Sequence, residues 1–148
     1  ETYRTILFNK DSQKKLAQFL RIVIESDDAI LWHCTSGKDR AGLSAMLIES
    51  LLGVRSDDIV ADYVLSKYAL RWKFARNRIG LAIAPIPRSA RRILNGLMRI
   101  RAEYIIDVAT EIKETFGSII NYCKECLSVT DEDIQRLRNK YLVKTCDS

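Results

Sequence analysis

The chain has 148 residues, of which 47% are hydrophobic and 29% charged, and its formal net charge at pH 7 is +5. These proportions are typical of a folded domain and exclude a chain that is disordered throughout. No apolar run approaches the roughly 18 residues of a membrane-spanning helix, and no signal-peptide pattern is present. We therefore expect a single folded domain over residues 1–148.

The first predicted elements are a helix and a buried strand. Asp11 or Ser12 could cap the helix. Residues 29–34 form a continuously apolar run, which is typical of a strand buried on both faces of a parallel sheet. Trp32 in this run is predicted to lie in the core, and no other run offers a partner strand. The predicted apolar face of the helix consists of Leu16, Phe19, Leu20, Val23 and Ile24.

Helical patterns follow in the middle of the chain. One helix is expected to end at Gly53, since glycine favours the left-handed conformation of a helix C-terminus. Ser56 is predicted to begin the next helix. Pro85 and Pro87 mark a break between helices because proline cannot continue one. The apolar face of the helix before Gly53 is predicted to contain Leu43, Leu47, Ile48 and Leu51.

Three helices are predicted in the C-terminal third. A long helix over residues 99–116 is expected to stop at Gly117, and Ser118 opens a short one. Thr130 and Asp133 form a capping box for the last helix. The fold class predicted from these patterns is α/β, with a mainly helical chain and one central strand.

Residues 33–42, HCTSGKDRAG, form a polar loop between the predicted strand and the helix after it. Backbone N–H groups of such a loop, with the N-terminus of the next helix, form a concavity that favours an anion. Cys34 would have its thiol pKa lowered by those donors. Gly37 and Gly42 are expected to let the chain turn tightly, and Arg40 follows Cys34 by six positions.

The spacing of cysteine and arginine predicts phosphoryl chemistry. The planar guanidinium of Arg40 can hold two phosphoryl oxygens, which a lysine ammonium cannot match geometrically. A thiolate at Cys34 can attack phosphorus beside it. The loop therefore indicates covalent catalysis through a phosphocysteine.

This loop resembles the signature loop of the cysteine-dependent tyrosine phosphatases. Its GKDR core is similar to that of a mainly microbial branch that acts on phosphotyrosine and, in some members, on phosphoinositides. The similarity continues through residues 57–66 and 104–142. It implies a tyrosine-phosphatase-like fold whose N-terminal sheet strands have no counterpart before Tyr3. We therefore expect a partial domain, whose sheet is completed by a missing N-terminal half or by a second chain.

The resemblance also implies roles for the loop residues. Cys34 is implied as nucleophile and Arg40 as phosphate clamp, with Lys38 adding positive charge at the rim. Ala41 stands where the family usually has Thr or Ser, which implies a slow second, hydrolytic step. No metal or organic cofactor is implied. The implied substrate-binding residues are His33, Thr35, Ser36, Gly37, Lys38, Ala41 and Gly42.

Two other loop residues have alternative interpretations. Asp39 could protonate the leaving oxygen as general acid or could brace Arg40. Relatives often use a separate aspartate as general acid, which would lie outside this chain. Asp62 is the other acidic candidate in this chain, but its helix position is more consistent with structural pairing. His33, the only histidine, is interpreted as tuning Cys34 through hydrogen bonds, with a purely structural role as the alternative.

The segment 63–102 is strongly basic and contains no acidic residue. This pattern indicates either a solvated basic face or an attraction for an anionic substrate. The resemblance favours the second interpretation, since this region can form a helical lid over the site in that branch. No nucleic-acid-binding motif accompanies the charge. The basic residues are Lys67, Arg71, Lys73, Arg76, Arg78, Arg88, Arg91, Arg92, Arg99 and Arg101.

The remaining cysteines do not predict a metal site. Cys123 and Cys126 lie one helical turn apart without further ligands nearby, so we interpret them as reduced thiols rather than as a zinc site. Cys146 has no assigned role. Reduced cysteines favour a cytoplasmic location, and secretion stays open because the N-terminus looks incomplete.

Together these patterns predict a phosphatase that hydrolyses phosphomonoesters, with phosphotyrosine as the first substrate class. Phosphoserine, phosphothreonine and phosphoinositide substrates fit the same residues. The alternative is a pseudophosphatase that binds phosphoprotein or phosphoinositide without turnover. A third, structural class is a regulatory protein that completes its sheet with another polypeptide.

Overall fold

The computed structural model describes residues 2–97 and 99–143, and within them the chain folds into eight helices. The described residues contain no strand. The helices are α1 Thr2–Phe8, α2 Lys10–Glu25, α3 Asp39–Leu52, α4 Ser56–Ile83, α5 Arg88–Leu97, α6 Ala102–Phe116, α7 Ile119–Leu127 and α8 Asp131–Tyr141.

The helix predicted in the N-terminal part is confirmed as α2, but its cap is different. The side chain of Asn9 accepts hydrogen bonds from the backbone N–H groups of Asp11 and Ser12, at 3.0 and 3.2 Å. Because α2 begins at Lys10, Asp11 and Ser12 lie inside its first turn and cannot cap it. The prediction of a cap at Asp11 or Ser12 is therefore wrong.

Most other predicted helix ends are confirmed. Gly53 ends α3 with a φ of 89° and Gly117 ends α6 with a φ of 78°, both in the region that glycine adopts without strain. The Ser118 side chain accepts the N–H of Asn121 at the start of α7. The long helix before Gly117 begins at Ala102 rather than near residue 99.

The predicted capping box is also confirmed. The N–H of Asp133 donates to the Thr130 hydroxyl, and the N–H of Thr130 donates to the Asp133 carboxylate. Asp133 also accepts a hydrogen bond of 2.9 Å from the Arg21 guanidinium on α2. Asp133 therefore takes part in the capping box of α8 and also joins α8 to α2.

Helix α3 is the centre of the core and packs against α1, α4, α7 and α8. Leu43, Leu47 and Leu51 on its predicted apolar face are fully buried. Burial of such side chains contributes about 1.5–3 kcal/mol each to folding. The loop that precedes α3 is therefore joined to a helix that packs against four others.

Helix α1 was not predicted, and tertiary hydrogen bonds hold it in place. The hydroxyl of Tyr122 on α7 donates to the backbone carbonyl of Leu7 at 2.6 Å. The side-chain amide of Gln13 on α2 donates to the same carbonyl at 2.9 Å. These contacts hold α1 against the core and position Tyr3, near its start, beside α3.

Residues 29–34 form an extended connection without strand structure, so the predicted strand is wrong for this structure. A strand requires backbone hydrogen bonds to a neighbouring strand, and the described residues contain none. Leu31 is 93% exposed, and Trp32 packs at the surface with its ring 5.6 Å from that of Phe19 rather than in the core. The described chain is mainly helical, and the α/β class is not confirmed.

The basic segment 63–102 lies on most of α4, on α5 and on the connections around α5. The prolines separate α4 from α5, as predicted, because α4 ends at Ile83 and α5 begins at Arg88. None of the helices in the described residues is long and apolar enough to cross a membrane.

Candidate active site

The thiol of Cys34 lies in the loop between α2 and α3, and four backbone N–H groups surround it. Partial burial raises its pKa, but hydrogen bonds from the N–H groups of Ala41, Ser36, Lys38 and Gly37 outweigh burial, and the net pKa is lowered. These donors favour the thiolate because they are aimed at its negative charge. The loop therefore holds a thiol that ionises more readily than an ordinary cysteine.

Glycines in the loop have two different physical roles. Gly37 has a φ of 65°, which bends the loop so that successive N–H groups point inward. Gly42 lies in α3, where a Cβ would come within 2.8 Å of Cδ2 in the Tyr63 ring. The expectation of a tight turn at Gly42 is therefore wrong, because this glycine permits close packing of α4 on α3.

Arg40 lies in the first turn of α3, and its side chain is exposed. Its guanidinium donates to the Thr35 hydroxyl at 3.2 Å, across the loop that contains Cys34. This contact leaves other guanidinium N–H groups available to an anion. Arg40 therefore lies at the start of α3 and is joined by this hydrogen bond to the loop that contains Cys34.

Lys38 is buried rather than at the rim, with only 4% of its surface exposed. Its ammonium group lies 3.2 Å from a carboxylate oxygen of Asp39 and donates to the Arg99 carbonyl at 3.2 Å. A buried ammonium requires such partners. The predicted rim position is wrong because the ammonium joins the loop to the chain segment between α5 and α6.

Asp39 belongs to a tyrosine network that the sequence did not reveal. The Tyr3 hydroxyl donates to Oδ1 of Asp39, and the hydroxyls of Tyr3 and Tyr63 are 2.6 Å apart. Burial, followed by the hydrogen bonds to Asp39 and Tyr63, raises the pKa of Tyr3 well above its usual value. Tyr3 therefore stays protonated and remains a donor to Asp39. Among the described residues, the ion-pair partner of Asp39 is Lys38 and not Arg40, which Asp39 was predicted to brace as one alternative.

Helix α4 covers one side of the loop. The Lys73 ammonium donates to the backbone carbonyl of Thr35 at 3.2 Å. Between loop and helix lies a cavity of about 510 Å³, and part of the basic segment therefore faces the Cys34 loop. The residues that line this cavity are Ser36, Lys38, Lys73, Phe74, Arg76, Asn77, Gly80, Leu81 and Leu94.

His33, the only histidine, directly precedes Cys34, whereas Cys123 and Cys126 lie on α7. His33 is exposed, and its ring makes none of the hydrogen bonds found among residues 2–97 and 99–143. Cys123 is a buried thiol, and burial together with Cys126 raises its pKa to about 12. In the part of the chain described, no three His, Cys, Asp or Glu side chains group to hold a metal ion. Cys146 lies outside the described residues.

The lowered pKa of Cys34 predicts selective alkylation. Iodoacetamide is expected to modify Cys34 at pH values where Cys123 and Cys126, whose pKa values are raised, react slowly. As the pH falls through the lowered pKa, the thiolate takes up a proton and the Cys34 rate declines. Peptide mass spectrometry after short exposures from about pH 5 to about pH 9 measures the three rates. Parallel pH profiles for the three thiols would contradict the site geometry. In the Cys34→Ser variant the modified Cys34 peptide should be absent, which confirms its assignment in the mass spectrum.

Comparison with known proteins is consistent with this loop chemistry. The model of the tyrosine phosphatase family matches residues 1–143. The chain is 35% identical over 133 residues to a Cupriavidus necator protein provisionally named a tyrosine-protein phosphatase, covering 88% of this chain and 45% of the relative.

Two further relatives carry phosphatase names. The triple specificity protein phosphatase PtpB of Mycobacterium tuberculosis is 27% identical over 150 residues, covering 96% of this chain and 54% of the relative. A tyrosine-protein phosphatase of Nostoc commune is 32% identical over 130 residues, covering 86% and 44%. The chain thus spans about half the length of the curated relatives it matches.

Proposed function

This chain belongs to the tyrosine phosphatase family, and from that premise we propose that it hydrolyses phosphomonoesters, phosphotyrosine first among them, through a phosphocysteine at Cys34. The observation that carries the proposal is the Cys34 thiol held among four backbone N–H groups, with its pKa lowered. A thiol in that setting is a stronger nucleophile at neutral pH than a free cysteine because more of it is thiolate.

The proposed reaction has two displacements at phosphorus. In the first, the Cys34 thiolate forms the S–P bond while the bond between phosphorus and the ester oxygen breaks, and that oxygen takes a proton as it leaves. In the second, water attacks phosphorus, the S–P bond breaks to regenerate the Cys34 thiolate, and inorganic phosphate leaves. The proton that the water loses returns to the group that protonated the leaving oxygen. The enzyme returns to its starting state without a cofactor.

Arg40 and the loop backbone are proposed to stabilise the transition state. Negative charge on the phosphoryl oxygens meets the same inward N–H groups that favour the thiolate. The Arg40 guanidinium can bind two of those oxygens in its own plane. The hydrogen bond to Thr35 supports this role because it holds the guanidinium beside the loop. The side chain of Arg40 is also exposed, so a phosphate group can approach it.

Helix α4 is proposed to form one wall of the substrate site. The cavity beside the loop combines the basic Lys73 and Arg76 with the apolar side chains of Phe74 and Leu81. A phosphate group attached to an aromatic ring would match this mixture of charge and apolar surface. These side chains support an aryl phosphate as the first substrate to be tested.

Asp39 is proposed as the proton donor to the leaving oxygen, with a positioning role as the alternative. Its Oδ1 atom is occupied by Tyr3 and lies near Lys38, so a proton passed to the leaving oxygen would come from Oδ2. The same contacts support positioning, since they join Asp39 to α1 and to the buried ammonium of Lys38.

The test of this proposal is hydrolysis of para-nitrophenyl phosphate. We expect a burst of nitrophenolate equal to the enzyme concentration, followed by slower steady turnover, because Ala41 has no hydroxyl to assist hydrolysis of the phosphocysteine. Stopped-flow absorbance measures both phases. Ala41→Ser is expected to raise the steady rate several-fold without changing the burst amplitude.

Vanadate, a phosphate analogue, is the control for the site and should suppress both phases competitively. Absence of turnover by the chain, or turnover that vanadate leaves unchanged, would overturn the proposed function. A steady rate without a burst would retain the phosphatase assignment but contradict a rate-limiting second step.

A further inference from the structure

The outward face of α4 carries a row of large apolar side chains that nothing in the described structure covers. Their spacing of three, four, seven and four residues places them on one helix face. The row is roughly 27 Å long at 1.5 Å per residue. We call it the outer stripe; its members are Leu65, Tyr68, Trp72, Ile79 and Ile83, each between 58% and 81% exposed.

This exposure is unusual because single apolar residues are common on surfaces but continuous rows are not. Extended exposed apolar surface marks an interaction with another protein or with a membrane. The opposite face of α4, with Phe74 and Leu81, already lines the cavity beside the loop. The outer stripe is therefore a second surface of the same helix, separate from the candidate active site.

The charges beside the outer stripe indicate what covers it. At about 100° per residue, Arg71 and Arg78 lie about 60° and 80° beyond one edge of the stripe, and Arg76 lies about 20° beyond the other. Lys67 lies further round, toward the opposite face. The Arg71 guanidinium lies 5.4 Å from the centre of the Trp72 ring. No acidic residue occurs between residues 63 and 102. The partner must therefore combine an apolar interior with an anionic surface.

A basic cavity adjoins one edge of the outer stripe. It has a volume of about 480 Å³, and five of its lining side chains are basic. Basic pockets of this kind can hold the phosphate of a lipid headgroup. The basic lining residues are Lys67, Arg71, Arg78, Arg99 and Arg101.

We infer that the outer stripe of α4 docks this protein on an anionic lipid surface, with the helix lying in the plane of the interface. Apolar side chains enter the headgroup boundary, while the flanking Lys and Arg contact lipid phosphates. Trp72 and Tyr68 suit this boundary because their rings are apolar with one polar atom. A second copy of the chain would present the same positive charge and is disfavoured by repulsion.

The test is flotation of the full 148-residue chain with vesicles. Phosphatidylcholine vesicles are compared with vesicles that also contain phosphatidylglycerol, whose phosphate is a diester and therefore not a substrate of the proposed reaction. We expect at least about tenfold stronger binding to the anionic vesicles, weakened by added salt. Equal binding to both vesicle types, or no binding to either, would overturn the inference whatever the phosphatase assays show.

Matched variants locate the contact on α4. Ile79→Ser combined with Ile83→Ser is expected to lower anionic-vesicle binding by about tenfold or more. The control combines Ile22→Ser with Leu31→Ser, which removes two exposed apolar side chains elsewhere and should leave binding unchanged. Equal losses in both double variants would overturn the assignment to α4, and circular dichroism checks that each variant folds.

Fluorescence gives a second readout, which reports on the surroundings of Trp72 itself. In a Trp32→Phe background the remaining tryptophan is Trp72, and its emission is expected to shift to the blue and to be quenched by brominated lipids in anionic vesicles. Unchanged emission on vesicle binding would overturn the docking geometry. A dimer in solution that Ile79→Ser converts to monomer would instead show that a second copy covers the stripe.

Discussion

Cys34→Ser is expected to lower the turnover of an aryl phosphate by at least about 10³-fold, the scale on which loss of a catalytic nucleophile acts. The serine hydroxyl fits the same space, but its far higher pKa keeps it protonated among the loop N–H groups. Phosphate analogues should therefore still bind. Steady-state kinetics with para-nitrophenyl phosphate and calorimetric titration with inorganic phosphate measure the two effects.

The matched control is Cys126→Ser, which removes a partly buried thiol on α7. We expect it to retain the activity of the parent chain. If Cys34→Ser kept most of the turnover, the phosphocysteine mechanism would be wrong. If it lost binding of inorganic phosphate as well as turnover, the loss would reflect a damaged loop. Cys34→Ala would then separate the two effects.

Arg40→Lys is expected to lower kcat/KM by roughly 10²-fold to 10³-fold, comparable with loss of a donor that stabilises transition-state charge. Lysine keeps the positive charge but cannot bind two phosphoryl oxygens in one plane. The contact between the Arg40 guanidinium and the Thr35 hydroxyl would also be lost. We expect most of the effect in kcat, because the planar contact matters most when charge develops on the phosphoryl oxygens.

The matched control is Arg55→Lys, at an exposed arginine that pairs with Asp57 at the start of α4. Its kinetics should equal those of the parent chain. Full activity in Arg40→Lys would show that charge alone suffices and that two-point phosphate binding is not required. A loss confined to KM would indicate that Arg40 binds substrate and transition state equally.

Local sequence determined most of the helix ends in this protein. Glycine at positions 53 and 117 ends helices because it adopts a positive φ without strain, and Thr130 with Asp133 forms a cap from hydrogen bonds three residues apart. The cap of α2 is Asn9, which lies two residues before Asp11 and three before Ser12, the two predicted positions. Such features depend on neighbours in the chain, so residue types alone specify them.

The sequence also located the loop and the spacing of Cys34 and Arg40, since all loop donors come from residues adjacent in the chain. The prediction of a strand at residues 29–34 was wrong for a related reason. An apolar run favours burial, but a strand exists only where another strand accepts and donates its backbone hydrogen bonds. That partner is a property of the fold and cannot be read from the run itself.

Only the tertiary structure decided how the loop is supported. The hydrogen bond from Tyr3 to Asp39 joins residues 36 positions apart, and the one from Lys38 to the Arg99 carbonyl joins residues 61 positions apart. Gly42 leaves space for the ring of Tyr63. The tertiary structure also leaves the outer stripe of α4 outside the core. The apolar residues of the stripe have the same spacing as those on a buried helix face. Apolar spacing marks the face of a helix that avoids water, but the packing of the whole chain decides whether anything covers it.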